Sequence, residues 1–206
     1  MQHFERSQIL QMDRNFRVNL VNSLSGYKSA NLIATLGGNG VENLAIFSSV
    51  VHLGSDPALL GFIQRPVGDH SHTYKNIVDS GVYTINHVSS EHIQQAHSTS
   101  ARFDKDVSEF KACGFTPRYA LGFKAPFVQE AAVQIGMRFV QEIKIELNDT
   151  RLMIGQIEHV FVQDGLVDSD GSLLLENANG ICISGLDTYC QAQRIARFPY
   201  AKVIPV

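Results

Sequence analysis

Apolar positions fall into short β-type runs along most of the chain. Residues 30–36 form one such run, Gly37-Gly38-Asn39-Gly40 is a turn, and residues 44–53 form a second, so this stretch predicts a hairpin. Ser55-Asp56-Pro57 marks another turn, and the continuous apolar run 58–63 reads as a buried strand. The period then changes. Tyr74, Ile77 and Val78 stand at i, i+3 and i+4, with Ser71 or Thr73 as a cap and Gly81 as a stop, which predicts a helix over 71–81. A strand over 82–86, helices over 90–100 and 107–113, and two long β stretches, 128–147 and 151–162, follow. Asn148-Asp149-Thr150 joins the long stretches as a turn, and 181–183 is a last short strand. Residues 1–18 lack a clear period and read as an extended lead-in, continued by a loosely alternating strand over 18–24.

Seven or eight strands against three short helices predict a mainly β chain, a β-barrel or sandwich with helical insertions, and not a doubly wound sheet. No repeat or linker divides the 206 residues, so a single domain is expected, with 166–206 as an extension packed on the barrel or on a second copy. Seventeen Lys+Arg against 20 Asp+Glu, with no basic run, give nucleic acid or an anionic membrane no electrostatic footing. The apolar stretch 43–55 is shorter than the roughly 20 residues of a membrane helix. Charges at Glu5, Arg6, Asp13, Arg14 and Arg17 replace the apolar run of a signal peptide, so a cytoplasmic location is expected. Cys113, Cys182 and Cys190 include no C-x-x-C pair and read as inert thiols, without a disulfide framework or zinc site.

The glycines at 38 and 40 imitate a dinucleotide fingerprint, but a β run follows where that motif needs a helix. Ser48 and Ser49 lie in an apolar strand, where the two-residue period turns one of them inward, either to bond backbone or to line a polar pocket. Arg65 ends a strand just before the predicted helix at 71. A guanidinium near free helix amides, with Ser71 and Thr73 beside them, makes a phosphate site; a solvated strand-end charge is the alternative. His70 and His72 run into that helix without a standard metal-ligand spacing, so no metal is expected.

The string from Asn43 through Ser48-Ser49 to Leu60 resembles the flavin-binding signature of the flavin reductase-like family, whose fold is the FMN-binding split barrel. His72-Thr73-Tyr74-Lys75-Asn76-Ile77, Gly81-Val82-Tyr83-Thr84-Ile85-Asn86, Ser108-Glu109-Phe110, Gly114-Phe115-Thr116-Pro117 and Gly155-Gln156-Ile157-Glu158-His159-Val160 continue the likeness in order. Ile46, Ala58 and His72 depart from the residues usual at their positions. The resemblance implies a homodimeric flavoprotein that passes hydride from NADH or NADPH to non-covalently bound FMN. Electrons would go on to free flavin, oxygen, a ferric chelate or a partner oxygenase. It places Asn43, Phe47, Ser48 and Ser49 at the flavin ring and ribityl chain, and Arg65 and Thr73 at the phosphate, with Ser71 and His72 as further phosphate-side candidates. Phe103 would cover or stack on the ring, and Tyr189 would approach the flavin or pack a dimer. The hydride chemistry belongs to the cofactor, so no catalytic side chain is expected. Two alternatives stand beside this reading: an FMN carrier or electron-transfer protein without nicotinamide turnover, and a barrel holding another ligand such as haem through His97 or His159.

Overall fold

The computed structural model describes residues 1–202; the last four residues of the expected C-terminal extension lie outside the described residues. Two helices open the chain, α1 (Arg6–Gln11) and α2 (Arg14–Leu24). The short β1 (Lys28–Ser29) leads into β2 (Asn31–Leu36), β3 (Glu42–Phe47), β4 (Val51–Ser55) and β5 (Ala58–Gln64). Helix α3 (His72–Ser80) and strand β6 (Val82–His87) precede the small helices α4 (Ile93–Ser98) and α5 (Glu109–Cys113). The two-residue strands β7 (Pro117–Arg118) and β8 (Phe127–Val128), the long pair β9 (Val133–Ile145) and β10 (Thr150–Val162), and the hairpin β11 (Ile181–Ser184) and β12 (Thr188–Gln191) complete the chain.

Seven strands make one antiparallel sheet in the order β3-β2-β6-β9-β10-β5-β4. Its two edges, β3 and β4, are consecutive in sequence and joined only by residues 48–50. From Phe47 to Val51 the chain reaches at most about 14 Å. The edges must therefore meet at this end, which rolls the sheet into a barrel, while the lack of pairing between them leaves it split. A separate three-stranded sheet, β1-β11-β12, stands beside it.

Both faces of β2 are covered, which explains why 30–36 reads as an unbroken apolar run. Ile33 packs inside the barrel with Phe62, Tyr83, Ile85, Met137 and Met153. Leu32 and Ala34 face the other way, against Ala96 of α4, Phe110 of α5 and Ile181 and Ile183 of β11. Burying each of the larger side chains contributes roughly 1.5–3 kcal/mol. Gly155 on β10 has a steric reason: a Cβ there would run into the Tyr83 hydroxyl. Gly81, at φ +73°, stops α3 in the left-handed conformation that glycine adopts without penalty.

Four expectations need correction. The N-terminal lead-in is helical, because the Asp13 carboxylate accepts from the amides of Asn15 and Phe16 and starts α2. Phe16, Leu20 and Leu24 stand at i, i+4 and i+8 in α2, a helical spacing, although neither N-terminal helix contains a buried residue. The run 44–53 breaks at 48–50 into β3 and β4, and 128–147 breaks into β8 and β9. The predicted helix 90–100 opens as a 3₁₀ turn over Ser90–His92 before α4.

Candidate functional site

A cleft of about 880 Å³ opens where the barrel is split, a size suited to a large cofactor. Asn43, Phe47, Ser48, Ser49, Arg65, Ser71, His72, Thr73, Phe103 and Tyr189 all line it. The sequence-predicted residues therefore converge on one surface, although they come from six segments of the chain.

The first wall runs from the end of β5 into α3. Ser49 fixes the split edge: its hydroxyl donates to the Ile63 carbonyl at 3.2 Å and accepts from the Ile63 amide at 3.1 Å. This is the backbone-bonding role open to a serine in an apolar strand, and Ser49 lines the cleft at the same time. Phe47 packs edge-on to Phe62, 5.0 Å between ring centres. Arg65 is exposed in the cleft, and its guanidinium has no hydrogen-bond or ion-pair partner among the described residues. The amides of His72, Thr73 and Tyr74, in the first turn of α3, likewise meet no acceptor there. Free amides and an unpaired guanidinium form a donor set for an anion.

The predicted support from Ser71 and Thr73 takes a different form. Ser71 occupies the N-cap position but makes no cap bond; its hydroxyl accepts from the Gly68 amide at 3.0 Å and shapes the loop before the helix. Buried Thr73 accepts from the Asn43 side-chain amide at 2.9 Å. That bond ties β3 to α3 and leaves the Thr73 hydroxyl proton free to donate. His72 is half-buried, and burial, followed by repulsion from Lys75 and His70, holds its pKa below the ordinary histidine value.

The second wall is built from distant pieces. In the sheet β1-β11-β12, Lys28 stands opposite Ile183 and Ile183 opposite Tyr189, and this row faces the cleft. Lys28 Nζ donates to the carbonyls of Asn22 and Gly185, pinning the end of α2 to the β11–β12 turn. The Tyr189 hydroxyl bonds His97 Nδ1 at 2.9 Å, which connects this sheet to α4. Phe103 lines the cleft while packing against the outer core cluster. His159, by contrast, lies away from the cleft, edge-on to Phe123 and stacked on Phe161, so it does not share a site with His97.

Sequence reasoning missed several lining residues, Gln64 and Glu109 among them. Gln64 ends β5, is 7% exposed, and donates to the Arg65 carbonyl, but its Oε1 has no partner. An orphaned buried acceptor is costly unless a ligand donates to it. A polar residue closing an apolar strand was the available signal. Glu109 of α5, 5% exposed, accepts from the Leu44 amide at 3.1 Å; burial pushes its carboxyl pKa up against the lowering effect of that bond. Arg102, beside Phe103, adds a second exposed cation to the cleft. Among the described residues no group of three or more His, Cys, Asp or Glu is placed to hold a metal, and no helix is long and apolar enough to cross a membrane.

The fold has close parallels. A split-barrel protein of Shewanella frigidimarina NCIMB 400, assigned as a flavin reductase, is 45% identical, covers 98% of this chain with 100% of its own, and superposes with a TM-score of 0.94. Component B of nitrilotriacetate monooxygenase from Bacillus cereus shares the fold at 17% identity, with 96% and 98% of the two chains covered and a TM-score of 0.84. An FMN-binding protein of Thermus thermophilus does so at 14% identity, with 97% and 100% covered and a TM-score of 0.74. The sequence family described as flavin reductase like domain matches residues 24–180, a span that contains β1 to β10 and the whole first wall of the cleft. The chain belongs to the flavin reductase-like family and has its split-barrel fold.

Proposed function

We propose that the cleft binds FMN and that the protein is an NAD(P)H-dependent flavin reductase. The observation that carries this reading is the donor set of the first wall: an unpaired Arg65 guanidinium and the unaccepted amides of His72 and Thr73, residues of α3 that line the same cleft. They suit a phosphate dianion, and the Thr73 hydroxyl has a proton left to give it. The orphaned Gln64 Oε1 suits a ribityl hydroxyl or a ring N–H. FMN, unlike riboflavin, supplies that phosphate, and when bound it supplies the capacity to take hydride from a nicotinamide and pass electrons on.

The chain's own part is to bind and orient. Asn43, held by Thr73, and Ser48 present polar groups near the split edge, while Phe47 and Phe103 offer apolar surface to a ring system. Arg102 and Lys28 bring positive charge to the remaining cleft, which favours an anionic nucleotide co-substrate. The fold shared with a monooxygenase component B supports a partner oxygenase as one destination for the electrons, beside free flavin, oxygen or ferric chelates.

A homodimer fits the outer surface. Phe16, Val21, Leu24 and Tyr27 near α2, and Ile195, Phe198 and Tyr200 in the C-terminal arm, are exposed in a single chain. Apolar surface on this scale is expected to be covered by a second copy. Light scattering after size exclusion should give twice the chain mass.

The test of the activity is the visible spectrum of protein reconstituted with FMN and mixed anaerobically with NADH and, separately, NADPH. Rapid bleaching of bound flavin by either nucleotide supports the reductase and identifies its donor. A bound flavin that neither nucleotide bleaches points to a carrier, and absence of flavin binding overturns the proposal.

A further inference from the structure

The back of the second cleft wall holds a pair of thiols. In the register of β11 and β12, Cys182 stands directly opposite Cys190, just as Ile183 stands opposite Tyr189. Neighbouring rows of a pleated sheet point to opposite faces. The row Lys28–Ile183–Tyr189 faces the cleft, so the row Ser29–Cys182–Cys190 faces away from it. Both thiols are free and half-exposed, whereas Cys113 is buried. The Cys182 thiol donates to the Cys190 carbonyl at 3.4 Å, so its sulfur already lies over its partner's backbone.

The separation suits a covalent link. The amide of Ala192 bonds the Gly180 carbonyl just beyond the hairpin. Antiparallel pairs alternate in bonding type, which makes Cys182 and Cys190, two positions on, a hydrogen-bonded pair with Cα atoms about 5.5 Å apart. Disulfides span Cα separations of about 4.4–6.8 Å. Their Cβ atoms, about 5–5.5 Å apart in such a pair, must close to about 4.5 Å, a small tightening of a short hairpin whose β12 is an edge strand.

We propose that Cys182 and Cys190 form a reversible intrachain disulfide when the protein meets a hydroperoxide, making the back of this wall a thiol oxidation site. One thiolate attacks the peroxide oxygen, the O–O bond breaks, and a sulfenic acid and hydroxide (or alkoxide) form. The second thiol then displaces water from that sulfenic acid. Overall, two thiols lose two electrons and two protons, and one hydroperoxide is reduced to water plus water or an alcohol. A small-molecule thiol returns the pair to the reduced state by exchange. Burial and the neighbouring sulfur raise the pKa of the Cys182 thiol, so oxidation quickens as pH rises toward the thiol range. The site depends only on the β11–β12 register and stands whatever ligand the cleft holds.

The purified full chain, treated with hydrogen peroxide and then blocked with an alkylating reagent, decides the matter by mass spectrometry. The proposal predicts loss of two hydrogens from the intact chain, reversal by dithiothreitol, and one remaining alkylatable thiol, Cys113. Cleavage before Asp187, which lies between the two cysteines, should yield peptides joined only under non-reducing conditions. Cys182→Ser and Cys190→Ser should each abolish the two-hydrogen loss, while Cys113→Ser should keep it. Oxygen added to separate cysteines without a crosslink, a disulfide between two chains, or a crosslink that includes Cys113 would each overturn it.

Discussion

The two walls of the cleft reach a similar end by different routes. The first draws its anion-facing groups from one short stretch, Arg65 through Thr73, where a strand has ended, a loop turns and a helix begins. Much of its chemistry comes from backbone amides, and their direction follows from the helix itself. The second joins Lys28, His97 and Tyr189 from β1, α4 and β12, and its bonds cross up to 157 positions of sequence. The first wall is thus specified locally and set up for charge. The second is specified by sheet register and presents rings, a lysine and a tyrosine–histidine bond.

If that division is right, substitutions should separate phosphate from ring recognition. The largest effect is expected for Arg65→Ala: FMN affinity should fall about 10- to 150-fold, the loss of one charge-assisted interaction, with riboflavin affinity unchanged. Equal loss for both flavins, measured by fluorescence quenching, would move Arg65 out of the phosphate site. Gln64→Leu should weaken both flavins alike, by roughly two- to tenfold, because its free acceptor serves a group that they share. A loss confined to FMN would place Gln64 with Arg65 and erase the distinction.

A smaller effect concerns pH. The His72 pKa is lowered in the free protein, so its ring is neutral near pH 7, and a bound dianion would draw a proton onto it. The preference for FMN over riboflavin should therefore grow as pH falls from about 8 to about 6.5, and His72→Asn should flatten that slope. The smallest effect belongs to Glu109. Its raised native pKa means that the folded state holds the proton more tightly than the unfolded state. Its contribution to stability is full below the unfolded carboxyl value and is lost as pH rises through the native one. Glu109→Gln keeps an acceptor for the Leu44 amide and should remove that pH dependence, raising the melting temperature relative to wild type at pH 7 but not at pH 4. A fall in melting temperature at pH 7 would show that the charge-assisted bond outweighs burial.

The same division explains what could be read from the chain. Arg65, the helix at 71–81 and its Gly81 stop are neighbours in sequence, so pattern and capping rules reach them. The role of Ser71 was harder to read, because its hydroxyl turns back to Gly68 and leaves the helix amides open. Ser48 and Ser49 looked like interior strand positions because residues 44–53 are continuously β-like. The break at 48–50 is visible only once the sheet closes and its two edges must meet. The helices α1 and α2 bury nothing and β12 has four residues; the helix signals are the Glu5–Gln8 capping box, the Asp13 cap and the spacing of Phe16, Leu20 and Leu24, which lie among many polar residues. The facing of Cys182 and Cys190 is likewise a product of register, invisible to spacing rules that look for C-x-x-C.

The central claim is that the first wall recognises a phosphate, and the unmodified protein tests it most directly. Dissociation constants for FMN and riboflavin should be measured side by side at low and at high salt. The account predicts that FMN binds at least about tenfold more tightly and that salt narrows the gap, since one charge-assisted interaction alone is worth that much. Equal affinities at low salt would contradict it, leaving Arg65 and the open amides of α3 without the ligand assigned to them.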